Sequence, residues 1–294
     1  MTTPLSERRG FDSFLAWYFV TIWGSGYLAS KIGLQYVAPF TFLTLRFAFG
    51  ILCMLPIVLI MRAPWPKSSV EFGHIIVAGL LMHAVNLGGS HYTQYLSVSA
   101  GITAVLLSVQ PLLTALIASR WMGDNLCGRQ WLGVALGLAG VMLVVWHKID
   151  VREMTFASLL AVIISLLGVT AGTLYQRVFC PLVDLRMSAL VQFVACVATL
   201  APLAWLIEGF KVQWVWPVFG AIAFLVIGAS ILAVNALHTL MRRGEATRVT
   251  SLVYLTPIFA VVLELVIFKV VPSALSIAGI AVTCAGVALV AWRR

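Results

Sequence analysis

A ten-residue stretch of this chain is written twice, and the distance between the copies constrains everything else. Residues 137–146, GLAGVMLVVW, return at 283–292 as TCAGVALVAW, shifted by 146 positions. Six of the ten positions are identical: Ala139/Ala285, Gly140/Gly286, Val141/Val287, Leu143/Leu289, Val144/Val290 and Trp146/Trp292. Without any gap, the same shift carries Gly133 onto Gly279, Pro111 onto Pro257, Pro56 onto Pro202, Gly26 onto Gly172 and Lys31 onto Arg177. A 294-residue chain with this offset reads as two tandem halves, 1–147 and 148–294. A long repeat of this kind sets the architecture before any local reading.

What the halves are made of follows from charge. Only 10% of residues are charged and 62% are hydrophobic, against about 25% and roughly 45–50% in soluble domains. Outer-membrane strands would alternate apolar with polar residues; here the apolar runs are continuous. They fall at 13–35, 40–61, 71–95, 99–121, 128–147, 154–178, 186–207, 215–240, 247–268 and 274–292, each close to the ~20 residues of a spanning helix. The expected fold is therefore all-α and integral to the membrane, with ten spans. Loops carry the turn and charge residues at 62–67, 123–129, 147–153 and 242–248, and Pro66 and Pro272 stand near span starts, where a missing N–H costs nothing. Five spans per half is an odd number. The second half must then enter the membrane from the opposite side, which makes the repeats inverted, as in many secondary transporters.

Lys and Arg set the orientation. With the N-terminus inside, thirteen of the nineteen fall on inner segments and four on outer loops, with Lys31 and Arg46 within spans; this predicts both termini in the cytoplasm. The net charge of +9 then reflects loops facing an anionic leaflet, and nucleic acid is not expected as a partner. The first apolar run is too long for a secretory core and is read as an uncleaved span. Five scattered cysteines, Cys53, Cys127, Cys180, Cys196 and Cys284, form no metal-binding or disulfide pattern.

The chain resembles the drug/metabolite transporter superfamily in its ten-span, EamA-type form. The resemblance rests on WGSGY at 23–27, LRF at 45–47, SVQPLLTAL at 108–116 with its counterpart YLTPIFAVV at 254–262, and the Gly/Ala-rich fifth and tenth runs. Within the superfamily it is most similar to the YddG-type bacterial exporters of aromatic and other amino acids. The resemblance implies N-in/C-in topology, a central cavity between the halves, alternating access, a multi-pass location in the bacterial inner membrane and amino acids as the substrate class.

Polar groups inside spans are candidate sites because lipid makes them costly. His83, Asn86 and Ser90 share one face of the third run, with Tyr92 further out; Asn235 and His238 lie three apart in the eighth. Trp23 and Tyr27 in the first run, Ser108 and Gln110 in the fourth, Thr170 and Tyr175 in the sixth and Tyr254 in the ninth complete an expected substrate cavity. Amides and hydroxyls suit a zwitterion, and rings suit its apolar side chain. The plainer reading makes the same residues interhelical hydrogen bonds. Pro111 and Pro257 are expected to kink the fourth and ninth helices and shape or gate the cavity. Lys31, Arg46 and Glu264 fall in outer thirds of spans and are expected to pair as an outer charge cluster or gate.

Competing chemistries fare worse. A proton-coupled drug antiporter wants a buried carboxylate in the first span, which has only Asp12 at its edge. Phosphate antiporters need several central cations. No HExxH or GxSxG pattern points to an enzyme. The chain is thus expected to be no enzyme, with no cofactor or metal, acting as a monomer in the bilayer on a small-molecule substrate.

Overall fold

In hydrocarbon no water satisfies a backbone amide, so apolar runs of this length must close their hydrogen bonds internally as helices. The computed structural model describes residues 5–121, 126–150, 154–233, 236 and 256–291. In chain order these form α1 (Leu5–Leu34), α2 (Pro39–Ile60), α3 (Ser69–Tyr95), α4 (Ala100–Trp121), α5 (Gly128–Asp150), α6 (Phe156–Phe179), α7 (Leu185–Glu208), α8 (Trp216–Ala233), α9 (Thr256–Phe268) and α10 (Ala274–Ala291). Among the described residues the only extended pairing is an isolated antiparallel bridge between Val37 and Val212. Among the described residues seven helices, α2 to α8, are long and apolar enough to cross a membrane, so the chain is an all-helical integral membrane protein.

Most helix limits lie close to the hydropathy edges. Two differ. α1 begins at Leu5, because Ser6-Glu7-Arg8-Arg9 are competent helix formers and the helix runs on past its apolar segment. α5 continues to Asp150, so much of the expected 147–153 loop is its last turn. The expected loop at 242–248 lies outside the described residues.

Starts and stops have local causes. Ser68, Ser99, Thr155 and Asp184 stand before α3, α4, α6 and α7, each accepting from a backbone N–H of the first turn, as N-cap residues do. Thr155 and Ser158 form a reciprocal capping box. Left-handed backbone at Arg62, Ser97, Gly209 and Lys269 ends α2, α3, α7 and α9.

Among the described residues, three helices contain a π segment. α3 takes π geometry over Leu80–Val85, α7 over Ala204–Glu208 just after Pro202, and α8 over Phe224–Ala233. The 146-residue shift places 80–85 at 226–231, inside the π segment of α8. α4 breaks at Ser108–Val109 and resumes at Gln110, leaving Pro111 in the first turn of its second piece. The expected kink at Pro111 is thus a break on its N-terminal side, since that ring cannot follow an unbroken ladder. Pro257 lies in α9 next to the edge of the described residues.

Packing runs mainly between halves. α5 lies on α10, α2 on α7, α4 on α9, α3 on α6 and α7, α1 on α8 and α9, and α4 on α6. Exchanging each helix with the one five later returns the same set, with α2·α8 matching α3·α7. Lipid tails are as apolar as leucine, so such pairs are held by close packing rather than by water exclusion. The α5–α10 seam shows how: a Cβ on Gly133 would lie 2.6 Å from the Gly286 carbonyl oxygen, and one on Gly140 would lie 2.7 Å from that of Gly279. The small-residue faces therefore meet each other across the repeat, and Gly137 also abuts Leu112 of α4. A second core joins α2, α3 and α7 through Leu43, Phe47, Ile75, Met187 and Cys196.

Candidate functional site

Four of the expected cavity residues bond across the halves. His83 Nε2 lies 3.0 Å from Gln192 Oε1; the amide oxygen accepts, so this nitrogen carries the proton. Gln192 in turn donates to Ser188 Oγ at 3.1 Å, and Phe47 and Phe193 flank the imidazole at 5.8 and 5.7 Å between centroids. Asn86 Oδ1 accepts from Ser165 Oγ at 2.8 Å, while its Nδ2 donates to Met82 O at 3.1 Å. That carbonyl is free because π geometry sends the Asn86 backbone N–H to Leu81 and His83 instead. Gln110 Nε2 reaches Thr114 Oγ1 at 3.1 Å and Thr173 Oγ1 at 3.4 Å. A fourth crossing pairs Tyr175 Oη with His74 Nδ1 at 2.7 Å, under the ring of Phe179.

Other expected residues are engaged locally. Ser90, Ser108 and Thr170 hydroxyls donate to the carbonyls of Leu87, Val105 and Leu166 within their own helices. Tyr27 packs on Leu28, Ala100 and Ala104. Trp23 is 40% exposed against Phe19, and Tyr92 is 38% exposed and stacked on Phe40 at the start of α2. Asn235, His238 and Tyr254 lie outside the described residues. An apolar recess of about 520 Å³ between α1, α8 and α9 is lined by Leu28, Ile32, Phe224 and Leu263, and by none of the expected cavity residues.

The expected triad of charges separates into two places. Lys31 Nζ sits 2.6 Å from Glu264 Oε1 and 4.6 Å from the Phe268 ring centre. Glu264 is 3% exposed and also accepts from the first backbone amides of α4, Ala100 N at 3.0 Å and Gly101 N at 2.8 Å. Its negative charge thus caps a positive helix end. Arg46 does not join them. It reaches Ser230 of α8 instead, Nη2 to Oγ 3.5 Å.

Sequence reasoning passed over Glu208, which does for α2 what Glu264 does for α4. Its carboxylate accepts from Phe40 N at 2.9 Å, Thr41 N at 2.7 Å and Thr41 Oγ1 at 2.7 Å. His91, also passed over, is 2% exposed; its Nδ1 is 3.3 Å from Ser90 Oγ and its Nε2 has no partner among the described residues. His74 was signalled only by its polarity at the start of an apolar run.

Neutral hydrogen bonds thus join the halves at mid-helix, while Glu264 and Glu208 each hold the N-terminal amides of another helix. Among known proteins, the chain is 28% identical over 255 residues to the "Uncharacterized inner membrane transporter YedA" of Escherichia coli K12, covering 86% of this chain and 81% of that protein. It is 19% identical to the "Probable amino-acid metabolite efflux pump" of Salmonella typhimurium, covering 94% and 93%. A solved crystal structure shares the fold with a TM-score of 0.63 at 21% identity, over 96% of this chain and 97% of that one. The profile of the EamA-like transporter family matches twice, at residues 12–146 and 155–292. The chain belongs to the EamA-like transporter family.

Proposed function

We propose that the protein exports amino acids, aromatic and other neutral ones first, and related small metabolites across a bacterial inner membrane by alternating access. The observation that carries this reading is the set of neutral bonds His83–Gln192, Asn86–Ser165 and Gln110–Thr173, each joining a helix of one half to a helix of the other. Each is worth only about 1 kcal/mol in a membrane, so the halves can exchange such partners for a zwitterion's amino and carboxylate groups as they rock. The relatives named as amino-acid metabolite efflux pumps point the same way.

In this reading, residues 1–147 and 148–294 are inverted five-helix repeats with both termini in the cytoplasm. The twofold-exchangeable packing and the double family match support it. Substrate lies between α1, α3, α4, α6, α8 and α9, with Asn235, His238 and Tyr254 completing its surface and Pro111 and Pro257 shaping α4 and α9. Lys31 and Glu264 close the periplasmic end. A cation/proton antiporter fits less well, because Glu264 is already held by an ammonium and two amides. The test is counterflow in proteoliposomes with a panel of labelled amino acids, with and without a pH gradient. Transport of aromatic or aliphatic amino acids is expected; movement of none would overturn the proposal.

A further inference from the structure

Arg46 lies seven residues into α2, with the hydrophobic length of that helix continuing to Ile60. Its neighbours place it on the face turned to α3: Phe42, one turn before it, lies 5.9 Å from the His91 ring, and Phe47 lies 5.8 Å from the His83 ring. Across from it stands Ser230, inside the π segment of α8, whose hydroxyl already donates to Leu225 O at 2.9 Å. The guanidinium therefore sits between the π segments of α3 and α8, the two that the repeat relates. Its one hydrogen bond among the described residues is the 3.5 Å approach to Ser230. Glu264 and Glu208 are both spent on helix N-termini at the ends of α4 and α2.

A membrane-embedded guanidinium is costly unless an anion partners it, and among the described residues no carboxylate does so for Arg46. Its five donors form a planar fork that fits a carboxylate in two parallel bonds. Beside it, the Nε2 of His91 is buried and has no partner among the described residues.

We infer that Arg46 anchors the carboxylate of the transported molecule, at the level of the two π segments. The substrate then arrives as its own counter-ion, and decarboxylated or amidated analogues are poor ligands. This deepens the reading of amino-acid export and names the group by which the substrate is held.

The experiment is thermal-shift binding to the purified full chain with L-phenylalanine, L-phenylalaninamide, phenethylamine and 3-phenylpropionate, repeated on Arg46→Gln and Arg46→Lys. At least tenfold tighter binding of L-phenylalanine than of its amide is expected for the wild type. That preference should vanish in R46Q and fall only partly in R46K. Equal binding of acid and amide by the wild type overturns the inference, as does R46Q that keeps the preference, or failure of both carboxylates to bind. Should R46Q not fold, the wild-type comparison of acid and amide still decides. Arg46-dependent binding of 3-phenylpropionate without L-phenylalanine sustains the carboxylate anchor while defeating the amino-acid reading.

Discussion

Glu264 offers the sharpest test of how the bundle is held at one end. Replacing it by Ala removes three acceptors at once: the partner of Lys31 at 2.6 Å and those of the Ala100 and Gly101 amides at 3.0 and 2.8 Å. A buried N–H left unpaired costs about 1–3 kcal/mol. With Lys31 24% exposed, this corner is not sealed by protein, and the lower value applies to each amide. The lost ion pair and helix-end charge add roughly 2 kcal/mol. Glu264→Ala should therefore cost about 4 kcal/mol, and Glu264→Gln, which keeps one oxygen, about 2 kcal/mol. Melting followed by tryptophan fluorescence in detergent should fall by roughly 8–16 °C and 4–8 °C respectively, at about 2–4 °C per kcal/mol. Lys31→Met closes a double-mutant cycle: added to Glu264→Gln it should cost nothing further, leaving a coupling of about 1 kcal/mol. A coupling within roughly 0.3 kcal/mol of zero, with Glu264→Gln as stable as the wild type, would refute the reasoning.

Three further outcomes follow from other corners. Asp184 caps α7 through Arg186 N and Met187 N, and the side chain of Arg186 holds its carboxyl below the usual carboxylate range. A depressed folded pKa means its stabilisation is complete above the unfolded value of about 3.9 and fades as pH drops through the folded one; Asp184→Asn should flatten that acid limb in melts taken between about pH 5 and pH 2. Gly133→Val should wedge α5 from α10, because even a Cβ meets the Gly286 carbonyl at 2.6 Å; a loss above about 2 kcal/mol should appear as lower yield and melting temperature. For Asn86→Ala and Ser165→Ala, whose side chains meet at 2.8 Å, melts of the single and double variants should give a coupling of about 0.6–1.7 kcal/mol.

Hydropathy reported where the chain meets lipid, and that is why most helix limits were legible. It also made the Lys31–Glu264 pair legible, since two charges in apolar runs at one depth need each other. Direction around the helix axis was not legible in the same way. Arg46 lies near the depth of Lys31, yet it leaves α2 on the side that faces α3 and α8. The partner of His83 depends on how α3 and α7 cross, a property of both helices together. Glu208 escaped notice because its role lies in the amides of α2, which have no letter in a sequence. The π segments are invisible for a similar reason: they are a choice between i−4 and i−5 carbonyls that the same side chains permit.

Those π segments have a mechanical consequence. A π turn holds one residue more than the α turn it replaces, which makes it a store of slack. Moving that residue along the helix advances everything it passes by about 1.5 Å and turns it by about 100°, with no ladder broken at either end. Leu80–Val85 and Phe224–Ala233 store that slack at the same register of α3 and α8. α3, which has α geometry on both sides of its π segment, can therefore twist its two ends independently, and α8 stores the same slack at the related register.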